Sequence, residues 1–241
     1  MSVEENMKNN ISLLRLGMLV ILIILACQHT MICQKSEDLL NRKIELDDSN
    51  ITMLFVLGKL AYKYRVPIGF ERTTDYYEKL RGQMDFENGE VKWKNNNFHI
   101  KSGTLEEILN SIIAQEPQYK WELRDGVINV FPIKARDSFL KAFLETKIID
   151  FYPEKGISKF KVRDAIIDLP NVKTLLKKEN VEILKRDYLE SNYLYPDDEI
   201  EISISNSDVR GILNKIIGDS VHKFWLVERI GDKKESLLVS F

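Results

Sequence analysis

Ile108-Leu109-Asn110-Ser111-Ile112-Ile113 returns 104 residues later as Ile212-Leu213-Asn214-Lys215-Ile216-Ile217, and the same shift carries Trp121 onto Trp225 without a gap. The first copy runs from Phe98 to Trp121 and the second from Ile202 to Trp225. Leu105, Ile108, Leu109, Ile112 and Ile113 fall at the spacing of one apolar helix face, and Val209, Ile212, Leu213, Ile216 and Ile217 repeat it. Thr104-Leu105-Glu106-Glu107 reads as a capping box at the helix start, and Asp208 holds the same place in the second copy. Phe98-His99-Ile100 precedes the first helix as a strand, and Glu199 to Ile204 alternates before the second. After the first helix, Trp121 and Leu123 lead into Asp125-Gly126, and Ile128 and Val130 return as a hairpin partner. Phe224 to Glu228 and Ser236 to Phe241 form the matching hairpin around Gly231-Asp232. Each copy is therefore a strand, a helix and a hairpin.

Upstream of each copy lies a further strand-helix-strand. Lys43-Ile44-Glu45-Leu46 alternates, and Asp47, Asp48, Ser49 and Asn50 offer capping side chains. Met53, Leu57, Leu60, Ala61 and Tyr64 make one helical stripe. Val66 to Phe70 returns as a strand whose Pro67 suits a strand start or an edge. In the second half Lys147 to Tyr152 is the first strand, and Val162, Ala165, Ile166 and Leu169 form a helix stripe. Pro170 must end or kink that helix, and Val181 to Leu184 comes next as a strand. Gln83 to Glu87 and Glu90 to Lys94 flank Asn88-Gly89, a strong hairpin signal. The expected fold is α+β, with two related small domains at residues 40–133 and 148–241. Each has βαβ-type units, a helix-packed sheet and a C-terminal hairpin. Residues 134–147, carrying Phe139, Leu140, Phe143 and Leu144, read as an amphipathic connector.

Composition narrows the function. A chain of 241 residues, 44% hydrophobic, can bury one large core or two of domain size. A net charge of −2 offers no basic excess for phosphate backbones, which argues against a nucleic-acid partner. The uncharged run Leu16 to Cys27 is too short for a comfortable membrane span, which needs roughly 20 apolar residues. With Lys8 and Arg15 before it, residues 1–26 read as a signal peptide of an exported protein. Ile24-Leu25-Ala26-Cys27 also has the form of a lipoprotein cleavage box, making Cys27 the candidate lipid attachment site. Both cysteines, Cys27 and Cys33, lie at the leader, so the body has neither disulfide nor thiolate metal site. The expected location is periplasmic or associated with a bacterial outer membrane, with membrane contact only through the leader or a lipid.

Ile51 to Phe70, Thr104 to Leu109 and Tyr119 to Val130 together resemble the short N-terminal domain of secretins and TonB-dependent receptors, the STN domain. The resemblance spans about residues 43 to 133, and the second half shares it mainly through the internal repeat. It implies a small periplasmic docking module with no shared catalytic residues. The stretch after residue 133 is too short for a secretin ring or an outer-membrane barrel, so the implied role is docking to a partner protein.

Candidate chemistry is sparse. His99 and His222 are not equivalent in the repeat, and neither has a carboxylate three or four residues after it to suggest a helical metal pair. The chain has no Gly-x-Ser-x-Gly elbow and no glycine-rich phosphate loop. Asp47-Asp48 and Asp197-Asp198-Glu199 lack the alternating ligand spacing of a calcium loop and read as hydrated turns. Asn110 and Asn214 read as a polar flank of the helix stripe, and Trp121 and Trp225 as core residues that open hairpins. The candidates that remain are backbone edges: Val66, Ile68 and Phe70 on one strand, and Leu237, Val239 and Phe241 on another. The functional expectation is a non-catalytic envelope module, without cofactor or metal, docking to an envelope protein. The alternative is a peptidoglycan or glycan binder using exposed aromatics such as Tyr76, Tyr77 and Trp93.

Overall fold

The computed structural model describes residues 37–49, 52–73, 84–87, 90–93, 99–133, 138–184, 199–221, 223–230 and 236–241. Met1–Arg42 is a unit of its own, in which residues 37–40 make a helical turn. The leader and Cys27 lie outside the described residues, as do Tyr76, Tyr77, His222 and the side chain of Trp93. Among the described residues no helix is long and apolar enough to cross a membrane.

Lys43–Phe241 is a second compact unit with an α+β fold. Its first half opens with β1 (Lys43–Ile44) and β2 (Asp48–Ser49), followed by α1 (Met53–Tyr64) and β3 (Ile68–Arg72). The helix is capped by Thr52, whose hydroxyl accepts from the Phe55 amide, rather than by the acidic run before it. Asp48 instead pairs with Lys59 at 2.6 Å. The strands β4 (Met84–Glu87) and β5 (Glu90–Trp93) pair with each other on either side of Asn88-Gly89. Then come β6 (His99–Ile100), β7 (Gly103–Thr104), α2 (Leu105–Gln115), and the hairpin of β8 (Tyr119–Arg124) and β9 (Val127–Pro132). The Thr104–Glu107 capping box is present in full.

The second half starts at α3 (Ser138–Leu144) and β10 (Lys147–Phe151), with β11 (Ile157–Ser158) next. The following helix divides at Pro170 into α4 (Lys159–Asp168) and α5 (Pro170–Lys178), since proline is welcome at a first helical position but not inside. The chain continues through β12 (Glu182–Ile183), β13 (Glu199–Ile200), β14 (Ile204–Asp208) and α6 (Val209–Asp219), ending in β15 (Phe224–Ile230) and β16 (Ser236–Ser240).

The duplication holds to the level of register. Lys43 faces Thr104 across β1 and β7, and Lys147 faces Asp208 across β10 and β14, each pair shifted by the same 104 residues. The main sheet runs β12-β16-β15-β3-β9-β8. Each half supplies three strands in the same arrangement, a lone strand parallel to the second strand of a hairpin. The halves meet where β15 pairs in parallel with β3. That pairing makes β12 run opposite to β3, so the second copy is the first turned over and shifted by three strands.

The turn decides where the helices go. Trp121 is in register with Val130 and Phe70, whereas Trp225 is in register with Gly69. Neighbouring strand residues point to opposite faces, so the two tryptophans do as well. Helices α1 and α2 cover the Trp121 face with Val56, Leu57, Leu60, Ile108 and Ile112. Helices α3 to α6 cover the other, in a core joining Phe143, Ile166, Ile212 and Ile216 to Trp225 and Val227.

This corrects the expectation of two separate domains. A sheet that mixes strands of both halves is one hydrogen-bonded object. The segment read as a connector is core, with Phe139, Leu140, Phe143 and Leu144 all at most 1% exposed. Two ion pairs close the seam: Glu71 of β3 with Arg210 of α6, and Arg72 of β3 with Glu228 of β15. Glu71, Arg72, Arg210 and Glu228 are all buried.

Both edge-strand candidates are corrected too. β3 lies between β15 and β9, and Val66, Ile68 and Phe70 are fully buried. Pro67 stands just before the strand, where its missing amide costs nothing and its carbonyl accepts from the Ile128 amide at 2.9 Å. β16 lies between β15 and β12; Leu237 and Val239 belong to the core, and Phe241 packs against it.

Candidate docking edge

Among the described residues, β8 forms one end of the main sheet, with β9 its only partner strand. The turn that sets its register is Asp125-Gly126, with φ of 55° and 75°, the left-handed pair of a type I′ hairpin. Such a turn makes Arg124 and Val127 a hydrogen-bonded pair, and bonding then alternates along the ladder. Trp121 and Leu123 fall at the non-bonded positions, so their amides and carbonyls point away from β9. The Ile133 amide donating to the Gln118 carbonyl at 2.7 Å fits the same alternation.

The equivalent edge in the second copy is occupied. Lys223, Trp225 and Val227 of the β15 segment present the same outward groups, and β3 binds there; the Ile68 amide donates to the Lys223 carbonyl at 2.8 Å. Among the described residues, the fold thus contains a filled and an unfilled version of one site.

Each version is built around a tryptophan held by an asparagine eleven residues earlier. The Trp121 indole N–H donates to Asn110 Oδ1 at 3.0 Å, and that of Trp225 to Asn214 Oδ1 at 2.9 Å. Reading the asparagines as a polar flank missed this contact; their common distance to a tryptophan was the available signal. The bond fixes the indole across the sheet, and next to Trp225 only glycine fits. A Cβ on Gly69 would stand 2.2 Å from the indole carbons Cε2 and Cζ2. Trp225 and Asn214 are buried under β3, whereas Trp121 is half-buried and Asn110 exposed.

Asn214→Ala leaves a buried indole N–H without an acceptor and is expected to cost about 2 kcal/mol. Water replaces Asn110 at the open site, so Asn110→Ala is expected to cost about 0.5 kcal/mol or less. Urea unfolding of the two variants checks the contrast, and equal losses would remove the distinction between the two sites.

Side chains flanking the tryptophans differ in kind. Phe224 and Leu226 flank Trp225, whereas Lys120 and Glu122 flank Trp121 and are exposed. Charge on an outer strand discourages indiscriminate pairing. In this repeat it also marks which copy forms the end, a signal present in the sequence.

Farther along β8, Arg124 bonds both carboxylate oxygens of Asp208 at 3.0 and 2.9 Å. Asp208 also caps α6, accepting from the Gly211 amide at 2.8 Å. Burial pushes its carboxyl up, but the Gly211 amide, the Arg124 guanidinium and Lys147 together hold it below the usual aspartate range. A carboxyl lowered by folding stabilises the protein above its unfolded pKa of about 4, and the contribution disappears as pH falls through the folded value. Wild type should exceed Asp208→Asn by about 1 kcal/mol at pH 7, with the gap shrinking below about pH 4. Denaturation at several pH values measures it; a gap independent of pH would contradict this assignment.

The other polar candidates do not converge. His99 is exposed on β6, where its amide donates to Gln115, and Glu199 is exposed on β13. Asp197 and Asp198 lie outside the described residues. Among the described residues no three His, Cys, Asp or Glu side chains are grouped to hold a metal ion.

Comparison of the chain with protein-family models, curated proteins and solved structures finds no match.

Proposed function

We propose that this chain is a non-catalytic interaction module of a bacterial cell envelope, which docks to another envelope protein. The observation that carries the reading is the edge of β8, unfilled among the described residues, whose internal counterpart is bound by a strand. Open strand edges recruit partners by main-chain hydrogen bonding, so the same geometry serves protein docking without reacting groups. The resemblance to STN domains supports the same role, and the leader, with or without a lipid on Cys27, supports export. The buried charges of the body pair across the seam between the copies, which fits an architectural use.

Two measurements test the reading. The full chain is used as bait for crosslinked capture from envelope extracts, and is separately sedimented with insoluble cell wall. Specific capture of one envelope protein, absent with an unfolded bait, is the expected result. Co-sedimentation with wall material alone would replace it with the glycan-binding reading through Tyr76, Tyr77 and Trp93. Turnover of a wall substrate, abolished by one carboxylate substitution, would overturn the non-catalytic assignment.

A further inference from the structure

We infer that the β8 edge binds an extended partner segment, parallel to β8, with glycine opposite Trp121 and an acidic-glycine-basic sequence facing Lys120-Trp121-Glu122. This deepens the docking role proposed above and rests on it.

Direction is set by the internal copy. β15 receives β3 in parallel, with Phe224 facing Ile68, Trp225 facing Gly69 and Leu226 facing Phe70. β8 presents Lys120, Trp121 and Glu122 at the equivalent positions, with the Trp121 and Leu123 backbone groups aimed outward. A strand that uses those groups as β3 uses those of Trp225 and Val227 takes the same direction and register.

Glycine is required by the indole. Asn110 holds Trp121 as Asn214 holds Trp225, and the ring of Trp225 occupies the place where a Cβ on the facing residue would stand. An incoming residue opposite Trp121 meets the same obstruction. The glycine then lets the partner backbone close on the edge while the half-buried Trp121 ring loses its remaining contact with water.

Charge is set by the residues beside the tryptophan. In the filled copy Ile68 and Phe70 meet apolar Phe224 and Leu226. On β8 the flanking side chains are an exposed lysine and an exposed glutamate on the opposite face from Trp121. Opposite charges directly across a strand pair attract and like charges repel, so the partner carries an acid before the glycine and a base after it. The contrast also separates this edge from the apolar pairing inside the molecule.

The test uses full-length protein and three fluorescein-labelled nonapeptides of alternating threonine and valine with a central triplet. The triplets are Glu-Gly-Lys, Lys-Gly-Glu and Glu-Val-Lys, and binding is read by fluorescence anisotropy. The Glu-Gly-Lys peptide should bind, and the other two should bind about tenfold more weakly. The double variant Lys120→Glu/Glu122→Lys should reverse the preference between the first two peptides. Its fold is checked by circular dichroism, and both substituted residues are exposed, so loss of structure is not expected. Leu123→Pro removes one outward amide and should weaken binding of every peptide. Equal binding of all three peptides, no binding of any, or an unchanged preference in the double variant would overturn the inference. If the envelope partner is still captured by Lys120→Glu/Glu122→Lys and by Leu123→Pro, docking stands but uses another surface. If wild type captures no partner while the Glu-Gly-Lys peptide binds selectively, the edge is assigned correctly and the envelope role fails.

Discussion

Arg210→Met should destabilise the chain by about 3–5 kcal/mol, because it removes the guanidinium that pairs with the buried Glu71 carboxylate at the centre of the sheet. Glu71 has no solvent exposure and Arg210 is 2% exposed, so water cannot take the place of the lost group. Arg210 also lies over the Phe131 ring, 5.7 Å from its centroid, which adds a packing contribution. A neutral amide is less costly to bury than a carboxylate. Adding Glu71→Gln to Arg210→Met should therefore return part of the loss, with a coupling of about 1–3 kcal/mol. Arg210 belongs to the second copy and Glu71 to the first. The loss must therefore appear in one cooperative transition, coincident by tryptophan fluorescence and circular dichroism. Two separate transitions, with only one displaced, would show that the copies fold independently after all.

Gly69→Ala is the second large effect, expected at about 3 kcal/mol, the upper part of the usual overpacking range. One added methyl would stand 2.2 Å from the Trp225 ring, and the ring cannot swing aside without losing Asn214. β3 cannot back away either, since it is hydrogen-bonded on both sides. The same substitution in a Trp225→Phe background should cost much less, because the smaller ring vacates the contested volume. Gly218→Ala is a matched control: nothing stands within 4 Å of the added Cβ, and its helical position favours alanine by up to about 1 kcal/mol. Thermal or urea denaturation of wild type, Trp225→Phe and the three glycine variants measures the set. A Gly69→Ala protein as stable as wild type would mean that the indole is not fixed where the Asn214 bond places it.

Most single elements were legible in the sequence because their causes are local. Leu105, Ile108, Leu109 and Ile112 line one side of α2 whatever it packs against, and Thr104 and Glu107 cap it through bonds three residues long. Pro170 divides a helix wherever that helix lies. Asp125-Gly126 fixes the β8–β9 register from within the turn. Even the end strand left a trace, in the replacement of Phe224 and Leu226 by Lys120 and Glu122 between otherwise matching copies.

The order of strands had no such local cause. β3 carries Pro67 before it and Glu71-Arg72 at its end, which suits an exposed strand equally well. Its central place depends on Arg210, 139 residues away, and on Glu228, 156 residues away, meeting those charges in the interior. No window of sequence contains both members of either pair. Phe139 to Leu144 likewise reads as a linker until the inverted second copy lays its helices over that side of the sheet.

By itself the sequence determined a duplicated set of strands, helices and hairpins, since capping, turn geometry and apolar spacing act over a few residues. Only the tertiary structure decided that the two copies share one sheet, with the second turned over, and that β8 is left at its end. Pairing between strands is chosen by backbone hydrogen bonds, indole clearance and buried charges contributed by distant parts of the chain.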